Sequence, residues 1–252
     1  MSDYDSIAPF YDIEHTPFDE DLDMYRNFAG LCGGKILELA CGSGRLLLPL
    51  AREGYLLTGV DTSAAMLELA KQGLVRAGLA GRCQLVQQDM CSLQLPETYS
   101  LAIIALGSFG HITTRERQQQ ALASIRRHLN TGAGFILDIS NEDARYMEDL
   151  SGQMLHQGTW QQEDGSYVTH FLSPASSTTN HLLDLTHFYD VHRQGEVVRR
   201  TVSQTSLYLF ERNEAELLLE QAGFRIKNVY GTYDFGQYEH KSPRMIFVAE
   251  AR

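Results

Sequence analysis

Glu38 sits inside an apolar run that turns at Gly42 and Gly44, in "ILELACGSGRLLLPLA" over 36–51. Asp61 closes the next such run, "YLLTGVD", and Asp89 closes the one after it, "CQLVQQD". Glycines let main chain approach a ligand closely, and the start of the helix behind them offers N–H groups with no partner of their own. An acid at the end of the second strand, about 20 residues beyond the glycines, suits the hydroxyls of a ribose. A further acid at the third strand end can accept from an adenine amino group. Each acid taken singly reads equally well as a helix cap or loop residue; three at successive strand ends point to a nucleoside ligand. A dinucleotide turn carries a third glycine where this chain has Leu47, and a pyrophosphate would be repelled by Glu38. A cationic ligand would not.

One more residue could move a proton. His111, in "GSFGHI", follows the fourth apolar run, and histidine titrates near neutral pH. Its plainer alternative is a cap on the helix that follows. The nine histidines include no pair at a tight helical ligand spacing, so no metal site is expected.

The elements that must carry these residues alternate. Strands are expected at 34–40, 55–61, 83–89, 100–107 and 134–140, and helices at 43–53, 62–80 and 114–129. In the second helix Met66, Leu67, Leu69, Ala70 and Leu74 form the apolar stripe, and Thr62 or Ser63 is the cap. Pro49 should kink the first helix or tighten its opening turns. This alternation predicts an α/β, Rossmann-like, doubly wound and mostly parallel sheet. From about 150 to 210 the period changes to two: Leu183, Leu185, His187, Tyr189 and Val191 alternate with Asp184, Thr186, Phe188 and Asp190. Together with the turn signals in "QEDGSY" and "HRQGEVV", that predicts an antiparallel β insert. A helix at 212–222, ended by Gly223, and strands at 224–231 and 243–250 close the chain.

These motifs resemble those of class I S-adenosylmethionine (SAM)-dependent methyltransferases. "ILELACGSGR" is similar to the family's acid-then-glycines motif, with Ala40 in place of the first glycine; "GVDTSAAML", "QQDM" and "ALGSFGHI" resemble the three that follow. The resemblance spans about 34–140 and continues weakly to 252. It implies a seven-stranded sheet with an antiparallel last strand, SAM as cofactor and S-adenosylhomocysteine as product. The cofactor-binding set it implies is Glu38, Ala40, Gly42, Ser43, Gly44, Arg45, Asp61, Thr62, Met66, Asp89, Met90 and Leu106. Residues 1–33 would form a helical lid, in which Tyr4 and Tyr11 resemble lid tyrosines, and 34–252 the catalytic core. His111 and Tyr11 are the candidate catalytic residues, and with Tyr233 and Arg244 the candidate substrate contacts. The stretch around His111 and the region after the insert resemble deoxyaminosugar N-methyltransferases. The insert should roof the acceptor pocket, with His170, His181, His187 and Tyr189 as candidate lining, or else pair across a homodimer.

Charge narrows the partners. The chain carries a net charge of −11 with no long lysine–arginine run, which disfavours a nucleic-acid backbone. Four scattered cysteines without CxxC spacing, and no membrane-length or signal-like apolar run, lead to the expectation of a reduced, cytoplasmic protein away from membranes. The leading expectation is methylation of a small-molecule acceptor, nitrogen ahead of oxygen, with an O-methyltransferase or peptide N-methyltransferase as alternatives. A nicotinamide-dependent oxidoreductase and a non-catalytic SAM-binding protein stand further back.

Overall fold

The computed structural model describes residues 3–15, 18–142, 144–162, 164–177, 180–193 and 195–252. The side chain of Tyr4 lies outside what is described. Eleven strands form two sheets among these residues. The larger contains β1 (Ile36–Leu39), β2 (Leu57–Asp61), β3 (Cys83–Gln87), β4 (Tyr99–Ile104), β5 (Leu129–Ser140), β10 (Phe224–Tyr230) and β11 (Arg244–Ala251), in the order β10-β11-β5-β4-β1-β2-β3. β1 to β5 run parallel, and β11 lies antiparallel between β5 and β10. This is the doubly wound, seven-stranded sheet expected.

β1 is buried along its whole length because helices cover both faces of the sheet, so its residues are chosen for bulk rather than alternation. Its register sets Glu38 between Gly59 of β2 and Ile103 of β4. Chain order reverses beside β1, where β2 lies on one side and β4 on the other. Doubly wound sheets bind ligands at such a switch, beyond the carboxyl ends of the strands.

Two helix boundaries differ from expectation. The helix after β1, α3 (Leu47–Arg52), begins four residues late. Residues 42–46 are a turn in which Gly42 and Gly44 have φ of 54° and 86°, values that cannot propagate a right-handed helix. Pro49 then falls in the first turn, where its missing N–H breaks no hydrogen bond. The helix after β2, α4 (Ala64–Arg76), is capped by Ser63, whose Oγ accepts from the Met66 N–H at 3.1 Å. Ahead of the sheet lie α1 (Ala8–His15) and α2 (Leu22–Cys32); α5 (Arg115–Arg127) joins β4 to β5, and α6 (Ala144–Asp149) leads into the insert.

The insert is the antiparallel meander expected: β6 (Leu155–Gln161), β7 (Tyr167–Ser177), β8 (Leu182–Arg193) and β9 (Glu196–Tyr208), hydrogen-bonded in that order. The chain returns to the core through α7 (Arg212–Gln221). Buried Ile7, just before α1, and Phe10 of α1 pack on Val168 and Tyr189 of the insert, so α1 lies on that sheet. No helix among the described residues is long and apolar enough to cross a membrane.

Candidate active site

A cavity of about 500 Å³ opens beyond the carboxyl ends of β1, β2 and β3. Ala40 and Gly42 line it from the first turn, and Asp61, Thr62 and Met66 from the second. Asp89 and Met90 line it from the third, and His111 from the turn after β4. Tyr11 reaches it from α1. The structure thus brings together nine residues singled out from sequence, from five separate elements.

The glycine turn is held from its own neighbours. Asp61 accepts from the Gly42 N–H at 2.9 Å through Oδ2 and from the Ser63 N–H at 2.8 Å through Oδ1. Burial raises its pKa, and these backbone donors oppose the rise. A Cβ on Gly42 would sit 3.7 Å from the Tyr11 ring, so that ring lies directly against the turn. A Cβ on Gly44 would come within 3.2 Å of the Ala70 Cβ; this glycine packs α4 against the turn and does not line the cavity. Ala40 adopts φ of 52°, a left-handed conformation that costs a residue with a Cβ about 1 kcal/mol.

Glu38 lies behind the cavity wall rather than on it. It is 4% exposed, and burial pushes its carboxyl up to about 8, with the Arg45 charge opposing. Its Oε2 has no hydrogen-bond partner. A buried polar atom without a partner carries a desolvation cost that a bound donor or cation would relieve.

Asp89 caps the short turn after β3 by accepting from the Cys91 N–H at 2.9 Å, and pairs with Arg117 of α5 at 2.5 Å. Its own burial opposes, but these partners outweigh it and hold the carboxyl below its usual range. Arg117 lines the cavity too, as do Gln88, Ser108, Ile112 and Thr113. Burial lifts the Tyr11 phenol to about 12, so at neutral pH it is a hydrogen-bonding hydroxyl and not an anion.

Other expected site residues lie elsewhere. Arg45 reaches away from the cavity: its guanidinium grips both oxygens of buried Asp21, at 2.7 and 2.5 Å, and donates to the Phe18 carbonyl. A buried carboxylate with bidentate geometry is the better partner. Ser43 does not line the cavity either. Leu106, Tyr233 and Arg244 line a separate hollow with Phe18 and Glu20. Arg244 and Tyr233 are drawn there by Asp138 of β5, which is fully buried. Asp138 accepts from Arg244 Nε at 2.7 Å, Tyr233 OH at 2.9 Å, Tyr25 OH at 3.3 Å and the Leu106 N–H at 2.9 Å. The expectation that Tyr233 and Arg244 rim the acceptor cavity is therefore corrected.

The insert contributes residues that no sequence pattern singles out. Gln204 and Ser206 of β9 line the cavity, whereas His170, His181, His187 and Tyr189 do not. His170 and Tyr189 are buried, and together with His187 they bond to one another or to α1. His181 stacks on Tyr208. A period-two pattern reveals two faces, not which of them the cavity meets.

Residues 36–132 match the family model of a methyltransferase domain. That match assigns this segment to the methyltransferase domains. The matched segment runs from β1 to the start of β5 and contains every cavity residue except Tyr11, Gln204 and Ser206. Over its whole length the chain is similar to YqeM of Bacillus subtilis (strain 168), named as a methyltransferase without a stated substrate. The two are 24% identical over 98% of this chain and 96% of that one. Its fold is similar to that of the CcbJ methyltransferase from Streptomyces caelestis (TM-score 0.82, 20% identity, 100% and 98% of the two chains). It is also similar to SAM-bound CalS10, an amino pentose methyltransferase from Micromonospora echinaspora (TM-score 0.75, 18% identity, 97% of each chain). SAM is the ligand bound in CalS10. The residues present fit it: a bare-backbone turn, acids at successive strand ends, and a buried carboxyl oxygen that lacks a partner.

Proposed function

We propose that the chain methylates a small-molecule acceptor, with an amine nitrogen ahead of a hydroxyl oxygen. The observation that carries this reading is the single cavity in which His111 faces the strand-end acids under Gln204 and Ser206 of the insert. Its volume suits a small ligand rather than a macromolecule. The net charge of −11 speaks against a nucleic-acid acceptor, and the described cysteines are all free thiols, as suits a reducing cytoplasm.

In this reading Ala40 and Gly42 leave room for the cofactor, Asp61 accepts from its ribose hydroxyls, and Asp89 and Met90 border its adenine. Thr62 and Met66 complete that wall, and buried Glu38 gives up its proton beside the cationic cofactor, so that its charge then balances it. SAM supplies a methyl group already activated as a sulfonium. The protein has to align the acceptor and exclude water. An amine attacks only when neutral and loses a proton once methylated, and His111 takes or orients that proton. Residues 1–33 act as the lid, with Tyr11 its contact to the site. The amino pentose named for CalS10 makes aminosugars the first acceptors to try.

The test is S-adenosylhomocysteine release from SAM across aminosugar nucleotides, small amines, phenols, carboxylates and short peptides. Turnover confined to amines supports the reading. Turnover on phenols alone moves the acceptor to oxygen. Saturable NADH binding with no SAM binding overturns it.

A further inference from the structure

The cofactor site described above leaves unused a group of buried and half-buried titratable side chains between α1 and the insert. Glu14, in the last turn of α1, is joined to the insert through both carboxylate oxygens. His170 Nδ1 lies 3.0 Å from Oε1, and the Tyr189 hydroxyl donates to Oε2 at 3.1 Å. Behind His170 the contacts continue: its Nε2 lies 3.1 Å from His187 Nδ1, and His187 Nε2 lies 3.0 Å from Thr205 Oγ1. A carboxylate can only accept, so it orders the neutral chain in one sense. His170 donates to Glu14, His187 donates to His170, and the Thr205 hydroxyl donates to His187. Phe10 stacks on Tyr189 at 4.8 Å, beside the same joint.

This joint has a mechanical consequence at the site. α1 has only eight residues, too few to hold its shape or place without tertiary contacts. Glu14 follows Tyr11 by three positions, so the two lie one turn apart, and Tyr11 is the α1 residue that lines the cavity against Gly42. The segment's other end is tied to the core, where Ser63 Oγ donates to Asp5 at 2.6 Å. Tyr11 is therefore set by two anchors, one on the helix that begins beside Asp61 and one on the insert.

We propose that Glu14 is a positioning residue for cofactor binding: through His170 and Tyr189 it fixes α1 so that Tyr11 covers the glycine turn, and protonation of His187 behind His170 opens this joint. The proposal rests on the cofactor site described above. The groups facing the joint are Tyr11, Glu14 and His15 on α1, Arg45 on the glycine turn and His111 after β4. The insert adds His170, His187, Tyr189 and Thr205. Burial, then the charge of His170, pushes His187 down to about 4, and burial also lowers His15. Burial acts against Glu14 ionisation, but the hydrogen bond and charge from His170 prevail and lower it. A histidine released from the joint would titrate near 6.5. The closed form resists protons that the open form accepts, so closure is complete above about 6.5 and weakens as pH falls toward 4.

The test compares the parent with Glu14→Gln and His187→Asn in two measurements at matched pH. Hydrogen exchange of residues 8–15 reads the joint without any ligand, and S-adenosylhomocysteine titration reads cofactor binding. The expected results are faster exchange in Glu14→Gln, about tenfold weaker binding at pH 7.5, and a parent affinity that falls between pH 6.5 and 5. That fall is flattened in His187→Asn. A merely structural Glu14 would lower the melting temperature of the variant and leave its affinity at pH 7.5 unchanged, which overturns the proposal. So does unchanged exchange. A parent that binds no S-adenosylhomocysteine at any pH overturns the cofactor reading instead, and the exchange arm still decides the joint.

Discussion

The two walls of the cavity use their polar groups in opposite ways. On the parallel-sheet wall, buried Glu38 keeps one oxygen without a partner, and Asp61 directs its bonds to the turn that a ligand must approach. On the insert side, the polar groups at the α1 joint bond to one another, Glu14, His170, His187 and Thr205 in a chain, and Asp190 forks with Arg200; Ser176 and His192, the described insert residues with an unpartnered buried atom, do not line the cavity. Among the described residues of the insert, only Gln204 and Ser206 line the cavity. The difference teaches that unmet hydrogen-bonding capacity beside the glycine turn, not the number of polar residues, distinguishes the wall proposed to hold the cofactor. The insert's polarity goes into placing its own elements.

Glu38→Gln is the sharpest way to break that comparison. The Glu38 carboxyl titrates at about 8 in the fold against about 4.5 in the unfolded chain. The parent is therefore favoured at low pH and loses stability as pH rises from about 4.5 to about 8. Every tenfold difference in proton affinity between the folded and unfolded chain is worth about 1.4 kcal/mol. The variant should gain on the order of 3 kcal/mol at pH 7 and bind SAM more weakly, because Gln cannot answer a cation. Melting curves from pH 5 to 8 check it; a parent as flat as the variant removes Glu38 from the titration.

His111→Ala follows in size. Loss of a general base costs about a hundredfold in turnover or more, while SAM affinity should stay within about twofold. Equal turnover in parent and variant would make His111 a structural residue only. Asp61→Ala should show the reverse, a loss of SAM binding of about 2 kcal/mol, since ribose hydroxyls and two backbone N–H groups lose their acceptor. Calorimetric titration measures it. Gln204→Ala tests the opposite wall: KM for the acceptor should rise about fivefold, the loss of one hydrogen bond, with SAM affinity unchanged. A change in SAM affinity there would erase the distinction between the walls. Ala40→Gly should be the smallest effect, a gain of about 0.5 kcal/mol from relieving φ of 52°, because glycine's larger unfolded-state entropy offsets much of the relief. Thermal melts of parent and variant read that gain.

The parallel wall was legible in the sequence because its signals are local. A strand, two glycines and a helix start are adjacent in the chain, and the acid at 61 ends a short strand-like stretch while the acid at 89 follows one. Arg117 was not, since its partner Asp89 lies across a helix connection. Nor were the destinations of Arg45, Tyr233 and Arg244. An arginine next to a glycine turn reads as a ligand contact until the fold shows a buried carboxylate within its reach, and Asp21 and Asp138 are such carboxylates. The insert was legible as strands but not as a surface. Its histidines advertise chemistry, whereas the residues that line the cavity are a glutamine and a serine.

Sequence alone determined the layered α/β core, the glycine corner, the strand-end acids and the antiparallel character of 155–208, because each follows from the period of apolar residues along a short stretch. Tertiary structure decided which face of the insert meets the cavity, which carboxylates capture the arginines, and how α1 is pinned between insert and core. Those outcomes depend on competition among partners distant in sequence, and burial, which no local pattern encodes, sets the energy of each pairing.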